Sequence, residues 1–104
     1  MGAHSRNKGR NAEREVELAF QAEGFPTDRN LGGRTQVSGD IATTGLAVEV
    51  RRRESLSVER WLWEHHEETP SHLTPILVAR TSRKPWFVAL SLDDFLELLK
   101  EARG

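Results

Sequence analysis

The chain contains no cysteine, which excludes disulfide cross-links and thiolate zinc sites. It has no apolar run near the ~20 residues needed to cross a bilayer. Its opening, "MGAHSRNKGRN", lacks the apolar segment of a secretory signal. These absences predict a cytoplasmic protein with no membrane partner. Internal repeats, low-complexity tracts and linkers are also missing, so the 104 residues read as one domain, 1–104, with one modest core. A large charge of either sign is absent too. The formal net charge is −1, which argues against a general DNA-coating protein but leaves room for a local basic face. Charge is uneven along the chain. Residues 1–53 hold nine Lys/Arg against seven Asp/Glu, and the remainder holds six against nine.

Periodicity divides the chain into elements. Asn11–Glu23 predicts a helix with Ala12, Val16, Ala19 and Phe20 on one stripe and Gly24 as its stop. Phe25–Asn30 is a short strand. "LGGRTQVSG", rich in glycine, reads as a mobile loop or an irregular hairpin. Ile41–Thr43 and Leu46–Arg52 form paired strands around Thr44-Gly45. Ser57 caps a helix with a stripe of Val58, Trp61, Leu62 and His65, and Pro70 lies beyond its end. "TPILVAR" is a buried strand, and "SRKP" turns into a second strand, "WFVAL". Ser91 and Asp94 resemble a capping box, starting a last helix that buries Leu92, Phe95, Leu96 and Leu99. The order αβββαββα predicts an α/β domain with a mixed sheet flanked by helices.

The stretch "SGDIATTGLAVEVRRRE" concentrates the chemistry. With Thr44-Gly45 as a two-residue turn, Thr43 pairs with Leu46, Ala42 with Ala47, Ile41 with Val48, and Asp40 with Glu49. Alternation then sends Ile41, Val48, Val50 and Leu46 to the core. Asp40, Glu49, Arg51 and Arg53 share the other face with Ala42 and Ala47, while Arg52 faces away. Directly opposed carboxylates have Cβ atoms about 5 Å apart and repel unless a proton or cation lies between them. Mg²⁺ or Mn²⁺ suits such a site, with Asp40, Glu49 and the Val50 carbonyl as hard oxygen ligands. Arg51, one side-chain step beyond Glu49, is placed to hold a phosphate under attack. On spacing alone the plainer alternative stays open, that these charges form solvated ion pairs.

Several segments together resemble a known family. They are "KGRNAEREV" (Lys8 to Val16), Gly24-Phe25, the loop with Ser38-Gly39, Gly39-Asp40-Ile41, "VEVRRRE" and "RKPWFVALSLDDFLELL". In this order they resemble archaeal-type Holliday junction resolvases and their phage-encoded relatives, of the PD-(D/E)xK nuclease superfamily. The resemblance implies a restriction-endonuclease-like core with a mixed five-stranded sheet. It implies that Asp40 and Glu49 are a metal-binding pair, that Glu13 supports the metal directly or through water, and that Ser38, or else Thr35, assists cleavage. Lys8, Arg10, Arg29 and Arg34 become phosphate contacts. A homodimer is implied, because two symmetric nicks need two sites at fixed separation.

The function so implied is Mg²⁺- or Mn²⁺-dependent hydrolysis of four-way DNA junctions, in host cytoplasm if the protein is phage-encoded. The alternatives are another small PD-(D/E)xK DNA nuclease, or a junction binder that has lost catalysis. Arg51 raises the last alternative, for it stands where the family has lysine and, unlike lysine, essentially cannot act as a base. As a positive charge at the phosphate it suffices. Arg53, on the same predicted face, is a further DNA contact and a less convenient seat for the catalytic cation.

Three other groups were weighed. Arg6, Lys8, Arg10 and Arg14 cluster where the first helix is predicted to start, a place that binds anions through free N–H groups. His65, His66 and His72 match no standard zinc spacing. Trp61 and Trp86 fall on core positions, whereas Trp63 falls off its helix stripe and is either an interface or an exposed residue.

Overall fold

The computed structural model describes residues 2–29 and 39–104, with residues 2–10 described by backbone alone. The expected loop residues Arg34, Thr35 and Ser38 lie outside the described residues, as do the side chains of Arg6, Lys8 and Arg10.

The elements follow the predicted order: α1 (Gly2–Ala22), β1 (Asp28–Arg29), β2 (Ile41–Thr43), β3 (Leu46–Arg52), α2 (Val58–Glu68), β4 (Thr74–Arg80), β5 (Phe87–Ala89) and α3 (Leu92–Arg103). They build one mixed five-stranded sheet in the order β1-β2-β3-β4-β5. Only the β3–β4 pair is parallel, and α2 makes that crossover. The β2–β3 turn places Thr44 and Gly45 at φ 41° and 82°. Positive φ at both central residues marks the tight hairpin turn whose twist suits flanking strands. The register is Ile41↔Val48, Ala42↔Ala47 and Thr43↔Leu46, as alternation predicts.

The sheet is covered on both faces. Ala12 and Val16 of α1 pack on Ile41, Val48, Val50, Ile76 and Val78. Trp61 and Leu62 of α2 pack on Leu77 and Ala79 of β4 on the opposite face. The near-continuous apolar run of β4 follows from this, since a central strand is buried on both sides.

Several expectations need correction. Helix α1 starts at Gly2, nine residues before the predicted Asn11. The basic opening carries no apolar stripe, so periodicity could not mark it. Lys8 and Arg10 therefore lie inside the helix, and the free N–H groups of its first turn are not beside them. Strand β1 shrinks to Asp28–Arg29. Ser57 holds the N-cap position of α2 but makes no side-chain cap bond, whereas the Ser91 hydroxyl accepts from Asp94 N at 3.1 Å. The largest departure is α3. No residue of it is buried, and Leu92, Phe95, Leu96 and Leu99 are 69%, 46%, 44% and 44% exposed. Its apolar spacing is that of an amphipathic helix, but this chain's own core does not cover the stripe.

Candidate functional site

Strand β3 runs past the end of β2, and the site forms at this step in the sheet. Hairpin pairing stops at Ile41↔Val48, so Asp40 does not sit opposite Glu49 as predicted. Gly39 causes the divergence. It adopts φ +89°, and a Cβ there would lie 2.8 Å from the Val48 carbonyl oxygen and 2.9 Å from His65 Cε1. Only glycine fits so close an approach in the left-handed region. The chain leaves the ladder at this point. Asp40 N still donates to Val48 O at 2.8 Å, and the Asp40 carboxylate accepts from Val50 N at 2.9 Å. A side chain thus replaces the missing strand partner and fixes Asp40 beside β3.

A cavity of about 180 Å³ opens there, lined by Ala12, Glu13, Asp40, Glu49, Val50, Arg51, Arg52 and Arg53. Of the residues predicted for catalysis or metal binding, Glu13, Asp40, Glu49, Val50 and Arg51 converge on it, with Arg53 on its wall. Helix α1 delivers Glu13 because Ala12 and Val16 anchor the neighbouring stripe to the sheet. Arg52, expected to face away, also lines the cavity and reaches Glu15 of α1 at 3.7 Å. Beyond the end of β2 the face rule loses its hold, because side chains from both faces can reach the open edge. Arg29, expected at phosphate, instead pairs with Glu13 at 2.9 Å and Glu17 at 3.4 Å.

The electrostatics show an excess of negative charge. Burial pushes the Glu49 carboxyl up to about 7, helped by Asp40 and opposed by Arg51. Burial and the Asp40 charge likewise raise Glu13, against Arg29. Arg51 Nη2 lies 3.0 Å from Glu49 Oε2, and its guanidinium lies 5.1 Å from the Trp61 ring centroid. Trp61 is therefore a core residue with a second task, holding the arginine by cation–π attraction. His65 is buried and bonded through Nε2 to Ala47 O at 2.7 Å. Burial lowers its pKa, which keeps the ring neutral and Nε2 the donor.

Among the described residues, no group of three His, Asp or Glu side chains is disposed to hold a metal ion as placed. Glu13 and Glu49 each lean to an arginine instead. In kind the donors fit a hard divalent cation, since three carboxylates of one cavity repel one another and two of them have raised pKa values. Release of Glu49 by Arg51 is the movement such a cation requires.

The sequence reading missed one cluster. Glu15 accepts from Arg80 Nη2 at 3.2 Å and Trp86 Nε1 at 3.1 Å, with Arg80 5.0 Å from the Trp86 ring centroid. The three residues lie up to 71 positions apart, so no local pattern signals them. Trp86, predicted as core, is partly buried against the α1-side cluster.

A mixed sheet with acids and arginines gathered at a step beside its one parallel pair defines a class of fold before any comparison. No protein-family model matches the chain, and no curated protein matches it. Among solved structures, the fold is similar to that of Hjc, a Holliday junction resolvase from the archaeal hyperthermophile Archaeoglobus fulgidus. The TM-score is 0.58 at 22% identity, covering 80% of this chain and 72% of that one. The likeness is one of fold, and it identifies the five-stranded α/β domain as restriction-endonuclease-like.

Proposed function

We propose that the protein is a divalent-metal-dependent endonuclease of the PD-(D/E)xK superfamily that resolves four-way DNA junctions as a homodimer. One observation carries this reading: Glu13, Asp40, Glu49 and an arginine run meet at one cavity at the step between β2 and β3. The fold likeness to a Holliday junction resolvase supports it.

Asp40, Glu49, Glu13 and the Val50 carbonyl would hold Mg²⁺ or Mn²⁺, which supplies an activated water and charge for the attacked phosphate. Asp40 is oriented for this by the Val50 N–H. Glu49 must be ionised, so the site loads above the raised pKa of that carboxyl. Arg51 turns from Glu49 to the phosphate, where its forked donors match two oxygens. Its neighbours Arg52 and Arg53 on the cavity wall neutralise backbone charge without reading bases. Hydrolysis forms a bond from water oxygen to phosphorus and breaks the bond to O3′, leaving a 5′-phosphate and a 3′-hydroxyl.

The test is incubation of a labelled four-way junction and a matched linear duplex with Mg²⁺ or Mn²⁺, beside Asp40→Asn. Paired nicks in the junction are expected, lost in the variant while binding persists. Equal digestion of both substrates refutes junction selectivity. A second reading, a junction binder without catalysis, is favoured by the Glu49–Arg51 pair, in which the arginine stands where a cation would. Binding without cleavage in both metals, unchanged in Arg51→Lys, would establish it.

A further inference from the structure

Helix α3 is well formed yet almost unsupported. Leu92, Phe95, Leu96 and Leu99 follow the i, i+3, i+4, i+7 spacing of a buried stripe, and all four are exposed. A 12-residue helix is marginal in water on its own. Its ties to the body include the Ser91 cap and the contact of His66 with Asp94 at 3.4 Å. His66 also stacks on Trp63, with ring centroids 5.6 Å apart, so the exposed Trp63 adjoins the first turn of α3. The bare apolar surface of these five residues is on the order of 450 Å² per chain, taking roughly 150–250 Å² for a large side chain. Doubled by symmetry, it approaches the ~1,000 Å² of a specific interface before any polar rim is counted.

We propose that this stripe is covered by the α3 of a second copy, crossing antiparallel about a two-fold axis near Leu96. Charge complementarity selects this occupant. The first turn of α3 carries Asp93 and Asp94, and its last turn carries Lys100 and Arg103. Asp93 and Lys100 are seven residues apart, two turns at 3.6 residues each, so both flank the same side of the stripe. In an antiparallel pair, residues on that flank face each other, which brings Asp93 of one copy to Lys100 of the other, twice. A parallel pair would not make this match. The contact is isologous and closes at two subunits.

The inference gives the homodimer of the proposed function a surface. Its readout is mass, so its failure is distinguishable from failure of the nuclease reading. Sedimentation equilibrium should give twice 11.8 kDa for the intact chain at micromolar concentration. Leu96→Lys should give the single-chain mass with unchanged far-UV circular dichroism. Asp93→Lys should weaken association by roughly tenfold, since it sets like charges opposite each other at two places. Asp93→Lys combined with Lys100→Asp should restore it. A monomeric intact chain at 100 µM overturns the proposal, as does a double reversal no tighter than the single one. The reversal pair needs no core substitution, so a folding defect in Leu96→Lys would not hide the answer.

Discussion

Two places in this molecule combine a glutamate, an arginine and a tryptophan, and they differ in how charge is balanced. On the α1 side, Glu15 takes bonds from Arg80 and Trp86 and has Arg52 at 3.7 Å, so one acid faces several donors. At the step in the sheet, Glu49 has Arg51 at 3.0 Å, but Asp40, Glu68 and Glu13 all act to raise its pKa. The first arrangement is complete as it stands and ties α1 to β4. The second is short of positive charge, and its carboxyl holds protons to about 7. The residue types alone do not separate a structural ion pair from a reactive site; the surplus of one charge in a confined space does.

The comparison breaks most decisively at Asp40. Asp40→Asn keeps an acceptor for Val50 N but removes a charge from the cavity, so cleavage of a junction should fall by at least about 10²-fold with the fold intact. Glu15→Gln, with the same change of charge at the other cluster, should cleave at the original rate. Initial rates on a labelled junction check both. Equal losses would erase the distinction between the two places.

A pH series sharpens it further. The Glu49 carboxyl titrates near 4.5 when unfolded and at about 7 when folded. Between those values the native state binds more protons, so this group lowers stability as pH rises from 4.5 through 7. Glu49→Gln removes that loss and should gain on the order of 1–3 kcal/mol at pH 8, shrinking to nothing near pH 4. His65 acts oppositely. Burial lowers its pKa, so stability from the neutral ring is lost as pH falls. The difference between the two proteins at each pH, from urea midpoints, isolates Glu49. A variant no more stable than the parent at pH 8 would mean that Arg51 already balances the site.

Much of this contrast was legible in the sequence, and the limits have physical causes. The two-residue turn at Thr44-Gly45 and strict alternation set the hairpin register, so the core set Ile41, Val48 and Val50 emerged directly. Asp40 left the ladder because Gly39 approaches the Val48 carbonyl, a contact that needs three dimensions to see. Arg52 reached the cavity because alternation assigns faces only while a strand has neighbours. The α3 stripe was correctly apolar and wrongly placed in the core, since periodicity shows that a face is covered and not by what. Glu15 had no signal at all, its partners being brought to it by the sheet.

The smallest effect is the most specific to the structural cluster. Glu15→Ala leaves Arg80 and the Trp86 indole N–H without their shared acceptor. Glu15 is 44% exposed at its side chain, so water replaces part of what is lost, and the cost should be about 1 kcal/mol rather than the full penalty of a buried orphan. Because the carboxylate joins α1 to β4, the loss should also appear as faster amide exchange in the middle turns of α1 and at Arg80, with exchange in α2 unchanged. Chemical denaturation and hydrogen exchange measure the two parts separately. A stability loss without local exchange would assign the cost to the unfolded state instead of the tie between helix and sheet.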